Sequence, residues 1–306
     1  MKQDLVTILD LSKKLAEQIL DLAARMKAAR DTCEFRSALA GKSIATVYEK
    51  PSTRTKVSFA VGIHELGANM VELTGSGSQL SRGETYADTA RVLSRYVHCI
   101  VFRCLKHDSV VEMAQAASVP VINALSDKYH PCQILGDLQT IQEHCGDLRD
   151  VEIAFIGNGS NIVHSLMNAA ALLGLRLRIA TPATATPLDE VKQRVAPVAE
   201  RSGAVIEYGI DPIATATGAD VIYTDVWFDI GKEADAEKRR HEYLGYQVNA
   251  SLMAYAKPSA IVLHCLPANR GQEITDEVMD GPQSAILDQA ENRLHIQKAI
   301  MAKLIG

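Results

Sequence analysis

A chain of 306 residues, 47% hydrophobic and 23% charged, carries enough apolar sequence for two globular domains of ordinary size. Its net charge of -5 argues against bulk attraction to nucleic acid or an anionic membrane, although a local basic cluster can still hold a small anion. The six cysteines include no C-x-x-C pair, which disfavours zinc and dithiol chemistry and fits reduced thiols in a cytoplasmic protein.

The opening segment, "MKQDLVTILDLSKK", contains Asp4 and Asp10 and no long apolar core, so no secretory signal is expected. No run approaches the roughly 18 apolar residues of a membrane helix. Leu15, Ile19, Leu22 and Met26 share one helical face. "SIATVY" (43–48) then opens a series of strand-like runs. It is followed by "CIVFRC" (99–104), "VPVINAL" (119–125), "VEIAFIG" (151–157), "LRLRIAT" (175–181), "GAVIEYG" (203–209), "DVIYTDVW" (220–227) and "AIVLHCLP" (260–267). These runs are apolar throughout rather than alternating, the pattern of parallel strands covered on both faces.

Helical patterns separate the runs; Ile162, Leu166 and Ala170 recur at i, i+4 and i+8. The alternation predicts an α/β fold of two doubly wound domains, each a mainly parallel sheet flanked by helices. "HPCQILGDLQTIQEHCGDLRD" reads as one helix leading out of the first domain. The expected division is therefore residues 1–133, then 134–289, with a helical stretch 290–306 at the end.

Polar residues gather where these strands end. Ser52, Thr53, Arg54 and Thr55 follow the first run and precede a helical pattern. A helix N-terminus offers free N–H groups and partial positive charge, and an Arg fork matches phosphate oxygens. A capped helix with solvated basic residues explains the same stretch. It is not a P-loop, because the required glycines are absent. Arg103 ends a second apolar run, where an unpaired guanidinium is expensive to bury. His130 and Gln133 follow a third, and His264 and Cys265 end a fourth. A lone His is more often a satisfied structural residue, and a buried Cys a small hydrophobe. Four such placements together point to a site. A rival signal is Gly157-x-Gly159, part of a dinucleotide fingerprint. Residue 162 is Ile, however, and no acidic residue closes "LRLRIAT", which disfavours a nicotinamide-dependent dehydrogenase.

Together these stretches resemble the aspartate/ornithine carbamoyltransferase family. The shared pattern is S-T-R-T (Ser52–Thr55), Arg103 of "FRC", H-P-x-Q (His130–Gln133), D-x-W (Asp225–Trp227), H-C-L-P (His264–Pro267) and "AENR" (Ala290–Arg293), in order along essentially the whole chain. "SRGETYADTARVLSRY" (81–96) and "YQVN" (246–249) agree, and H-C-L-P with D-x-W is similar to the ornithine branch. The resemblance implies a carbamoyl-phosphate domain, an amino-acid domain, and a C-terminal helix packing back on the first. It implies a homotrimer or a multiple of trimers with active sites between subunits, and no metal or organic cofactor. It implies carbamoyl-phosphate binding by Ser52, Thr53, Arg54, Thr55, Arg103, His130, Gln133 and Arg293, with Gln79 reaching a neighbouring subunit's site. Ornithine would be held by Asn161, Asp225, Asp229, Ile230, Cys265 and Leu266. Arg103, His130, Asp225 and Cys265 would carry the chemistry, joining the carbamoyl group to the side-chain amine of ornithine to give citrulline and phosphate.

One stretch departs from the pattern. The ornithine branch usually carries S-M-G after D-x-W, and this chain has Asp229, Ile230 and Gly231. Ile230 offers the same backbone N–H. Asp229 would either pair with an α-ammonium or repel a nearby carboxylate, and repulsion would favour a diamine such as putrescine. Asn161, matched to the carboxylate-binding residue, favours ornithine. Another amine, a dehydrogenase and a non-catalytic paralogue are the alternatives.

Overall fold

The computed structural model describes residues 2–32, 34–74, 79–228 and 240–306. They form two compact units, Met1–Gln139 with Glu291–Gly306, and Thr140–Ala290. Among the described residues no helix is long and apolar enough to cross a membrane.

In the first unit, β1 (Ser43–Tyr48), β2 (Asn69–Thr74), β3 (Cys99–Arg103) and β4 (Val121–Leu125) pair in the order β2-β1-β3-β4, all parallel. β1 and β3 are central, with Ile44 opposite Cys99 and Tyr48 opposite Arg103. On one face Ala45, Val47, Ile100 and Phe102 pack with Ala90, Val110 and Met113, contributed by the helices Tyr86–Leu93 and His107–Ala116. The Lys13–Ala28 helix starts at Ser12, whose hydroxyl accepts the Leu15 N–H at 3.1 Å. Its buried face is Ala16, Ile19, Leu20, Ala23 and Met26. Leu15 and Leu22, expected on that face, are half-buried at its margin.

The second unit holds β5 (Glu152–Ile156), β6 (Arg176–Ala180), β7 (Val205–Gly209), β8 (Val221–Thr224) and β9 (Ile261–His264), in the order β7-β6-β5-β8-β9 and again all parallel. The Asn161–Leu173 helix buries Ile162, Leu166 and Ala170 together, as their spacing predicts, and ends at Gly174 in the left-handed region (φ 81). The expected α/β architecture of parallel sheets is therefore observed twice. Two edges differ from the sequence pattern. β2 was not anticipated, because "NMVELT" is almost wholly exposed and lacks a buried strand's apolar run. β7 is apolar in sequence yet mostly exposed, because it too is an edge.

The last helix, Ile286–Ile305, brings residues 291–305 into the first unit, where Ile296, Ala299, Ile300 and Met301 are fully buried. It lies close against the Pro131–Cys145 helix at Gly136. A Cβ on that glycine would sit 3.3 Å from Ile296 Cγ2 and 3.6 Å from the Arg293 backbone nitrogen. The helix is also tied by charge. The Lys298 ammonium, nearly all buried, meets Glu65 Oε2 at 2.6 Å, and Arg30 meets Glu65 Oε1 at 3.2 Å. Burial alone would raise the Glu65 pKa, but the Lys298 bond and the two cations outweigh it and hold it low. Removing one partner of a buried pair costs most when it strands the deeper charge. Glu65→Ala should therefore lose about 3 kcal/mol in urea unfolding. Lys298→Met, which leaves Glu65 with Arg30, should lose about 1 kcal/mol. The reverse order would show that the Lys298 charge is not the buried one.

Candidate active site

In a parallel sheet, the chain leaves neighbouring strands in opposite directions where the strand order reverses, and a crevice opens at their carboxyl ends. In the first unit that point lies between β1 and β3. Ser52 there is the N-cap of the Thr53–Glu65 helix, and its hydroxyl accepts the Thr55 N–H at 3.3 Å. Thr53 and Arg54 occupy the same first turn, Thr53 exposed and Arg54 half-buried. Thr55 is buried, and its hydroxyl accepts from Arg293 Nη2 at 3.1 Å and from Arg103 Nη1 at 3.5 Å. Arg103 is the last residue of β3. The other Arg293 nitrogen, Nη1, donates to Gln133 Oε1 at 2.5 Å. Residues spread from 55 to 293 thus meet in one hydrogen-bonded cluster. His130 is buried within its field. Burial, then the charges of Arg293 and Arg103, hold its pKa well below the ordinary histidine value, so the imidazole is neutral. Gln79 is exposed, in a separate short turn, Gln79–Arg82.

In the second unit the reversal falls between β5 and β8. Asn161 begins the helix after β5, half-buried. Asp225 directly follows β8 and Cys265 directly follows β9. The Cys265 thiol donates to Asp225 Oδ1 at 3.1 Å. Asp225 is buried, and burial raises its pKa while His264 and the thiol bond pull it back only in part. His264 sets the shape of the loop. Its Nδ1 accepts the Leu266 N–H at 2.9 Å, which leaves the ring proton on Nε2, facing Glu273 Oε1 at 3.1 Å. The same carboxylate oxygen accepts the Asn269 N–H at 2.6 Å. These bonds hold Leu266 in the left-handed region (φ 59), which costs a residue with a branched side chain roughly 1–2 kcal/mol.

Asp225, His264 and Cys265 place one donor atom each within 4.8 Å of the others. A metal ion there would have to take His264 from Leu266 or from Glu273, since both ring nitrogens are engaged. The arrangement suits a hydrogen-bonded chain better than a metal centre. Asp229 and Ile230 lie outside the described residues. The role of Gly159 is mechanical. Its N–H donates to Ala185 O at 2.8 Å, and a Cβ would lie 2.4 Å from the Thr186 carbonyl carbon and 2.5 Å from Pro187 N. Close passage of the 185–187 backbone explains this glycine without a dinucleotide. Sequence reading missed Glu273 and also Asp137, whose carboxylate accepts a hydrogen bond from Gln133 Nε2 at 2.8 Å. A Gln followed four residues later by an Asp on one helix was the available signal for the second.

Two family models fit the chain. One described as "Aspartate/ornithine carbamoyltransferase, carbamoyl-P binding domain" matches residues 3–143, and the Asp/Orn binding domain of the same family matches residues 149–304. The chain belongs to the aspartate/ornithine carbamoyltransferase family. Among relatives, the ornithine carbamoyltransferase of Acidothermus cellulolyticus is 50% identical over 296 residues, 97% of this chain and 94% of that protein. That of Thermococcus kodakarensis is 47% identical over 304 residues, 99% of this chain and 96% of that protein. The solved structure of ornithine carbamoyltransferase from Pyrococcus furiosus matches with a TM-score of 0.96 at 45% identity, covering 100% of this chain and 97% of that one. The family named by the S-T-R-T to "AENR" series is the family found.

Two outcomes are expected for this carbamoyltransferase-family chain. Gly159→Ala should lose about 2 kcal/mol of stability or more, because the methyl meets backbone rather than a flexible side chain; unchanged urea unfolding would contradict the packing argument. His130 remains neutral in the folded chain, whereas the unfolded chain binds its proton near pH 6.5. Stability should therefore fall as pH drops below that value. The urea midpoint should fall more steeply from pH 7.5 to 5.5 in the wild type than in His130→Gln, and equal slopes would mean His130 charges freely when folded.

Proposed function

We propose that the protein transfers the carbamoyl group of carbamoyl phosphate to the side-chain amine of L-ornithine, releasing citrulline and phosphate. The observation that carries this reading is the cluster at the β1/β3 switch point. Two guanidiniums meet there at Thr55, at the start of a capped helix, one of them also holds the Gln133 amide, and the neutral His130 imidazole lies in their field. Such a set suits carbamoyl phosphate, which has a dianionic end, a carbonyl oxygen and an N–H donor. Full-length relatives named ornithine carbamoyltransferase supply the acceptor.

In this reading Ser52, Thr53, Arg54 and Thr55 bind the phosphate with side chains and helix N–H groups. Arg103 and Arg293 add charge. The amine nitrogen attacks the carbamoyl carbon, and the carbonyl electron pair moves onto oxygen. Arg103, His130 and Thr55 stabilise that oxyanion, each preorganised donor contributing roughly 3 kcal/mol. The oxyanion pair then re-forms the carbonyl as the bond between the carbamoyl carbon and the bridging oxygen breaks, that bond's pair leaves with phosphate, and the nitrogen's remaining extra proton passes to the departing phosphate. A neutral His130 can donate one N–H without repelling the approach of an ammonium-bearing substrate.

A free alkylamine has a pKa near 10.4 and arrives protonated, so the acceptor half must take one proton before attack. Asp225 and Cys265 receive the side-chain amine, and Asn161 and Leu266 hold the amino-acid end. Asp229 and Ile230 complete that end, the first by charge and the second by its backbone N–H. The assembly we infer is a homotrimer or a multiple of it, with Gln79 of one copy serving a neighbour's site; its exposure in the single chain fits that role.

The test is colorimetric ureido-product formation from carbamoyl phosphate with ornithine, putrescine, N-acetylornithine, lysine and aspartate. Ornithine should lead by at least tenfold in kcat/KM, and a stronger response to another amine would overturn the substrate. Arg54→Ala should lose at least 100-fold in turnover with its melting temperature unchanged; near-normal turnover would sink the anion-site assignment.

A further inference from the structure

The Gln133 amide is held at both ends. Its Nε2 donates to Asp137 Oδ1 at 2.8 Å, and its Oε1 accepts from Arg293 Nη1 at 2.5 Å. All three residues are nine-tenths buried or more, and Asp137 is fully buried. Gln133 and Asp137 stand four apart on the Pro131–Cys145 helix, so their side chains lie one above the other on one face. Gly136 lets the Arg293 helix come near enough to close the other end.

The partners differ in kind. A carboxylate only accepts hydrogen bonds, and a guanidinium only donates them. Turning the amide by 180° would set NH2 against the guanidinium and oxygen against the carboxylate. Both contacts would be repulsive in a site with little water to relieve them. The amide therefore has a single orientation. Its oxygen faces the cluster of Thr55, Arg103 and Arg293, and it keeps a second lone pair beyond the one used by Arg293.

From this we infer that Asp137 is a positioning residue: it fixes the Gln133 amide so that the site demands an N–H donor on the acyl phosphate it accepts. The inference rests on the carbamoyl-phosphate reading above. The –NH2 of carbamoyl phosphate satisfies the oxygen, whereas the methyl of acetyl phosphate, close to it in shape, leaves that oxygen unpaired. Sites built to hydrogen-bond a substrate reject analogues that lack the group far more strongly than apolar pockets reject a missing methylene. Asp137 thus selects between two acyl phosphates without touching either.

Two variants test this, with acetyl phosphate as a competitive inhibitor of ureido formation from carbamoyl phosphate and ornithine. Asp137→Ala frees the amide. Asp137→Asn keeps the shape but can face either end of Gln133, since an amide both donates and accepts. In Asp137→Ala the KM for carbamoyl phosphate should rise about tenfold while the acetyl phosphate inhibition constant stays within about twofold. Asp137→Asn should move the ratio of the two constants the same way, by about threefold. If Asp137→Ala does not fold, Asp137→Asn decides alone. An unchanged ratio in the folded variants would overturn the inference. So would an equal rise in both constants, the mark of a merely structural role. A wild-type enzyme that does not turn over carbamoyl phosphate would instead overturn the functional reading, so the two failures are distinguishable.

Discussion

Reversal of strand order is the constraint on which the rest of the structure depends. Each sheet is wholly parallel, so each strand needs a crossover, and a right-handed crossover puts the next helix on a face fixed by the direction of travel. Where the direction turns back, at β1/β3 and again at β5/β8, the flanking helices diverge and the strand ends stand open. The polar residues found there sit at strand ends where hydrogen-bonding groups can be aimed at a ligand rather than spent on the sheet. Buried neighbours make this rigid. Ile44, Val47, Ile100 and Phe102 are fully buried in β1 and β3, so Arg103 and the Ser52 cap are set by a packed layer rather than by a loose loop.

The two switch points face opposite electrostatic tasks. The first assembles cations, and the cost appears in His130, whose proton affinity falls as burial and two guanidiniums act on it. The neutral imidazole is what such a site requires of a donor that must not add a further charge. The Arg293 guanidinium is itself buried, and it is anchored by Gln133 and Thr55 rather than left to find water. Those anchors come from two helices distant in sequence. That is the physical reason for a C-terminal helix whose middle residues, from Asn292 to Lys298, are buried although most are polar.

Much of this was legible in the sequence because burial leaves a compositional trace. Eight strands declared themselves as apolar runs, and the ends of those runs lie within three residues of Arg103, Asp225 and His264. β2 escaped because an exposed edge needs no apolar run, and its residues read as a polar connection. The partner residues were harder. Glu273 lies in "GQEI", a stretch that looks like a solvated turn, yet it is fully buried against His264. Asp137 looks like one polar residue on an amphipathic helix. Nothing in a linear pattern distinguishes an acid that faces water from one that faces a buried amide; only the approach of a second helix decides it.

In the proposed reaction the Asp225–Cys265 pair meets a conflict common to amine-acylating sites. A fully ionised carboxylate beside an ammonium binds it well, but that same ion pair raises the amine's pKa and suppresses the neutral nucleophile. Burial moves Asp225 the other way, raising its proton affinity toward that of the amine. Moving a proton off the nitrogen then becomes less uphill than it would be beside a solvated carboxylate. The thiol bonded to Asp225 satisfies one carboxylate oxygen without adding a cation, so the raised affinity is not cancelled. Under the proposed reaction, the acceptor half gives up some strength of ammonium binding in return for a larger fraction of neutral amine, and the amino-acid end of the substrate must supply the binding that is lost.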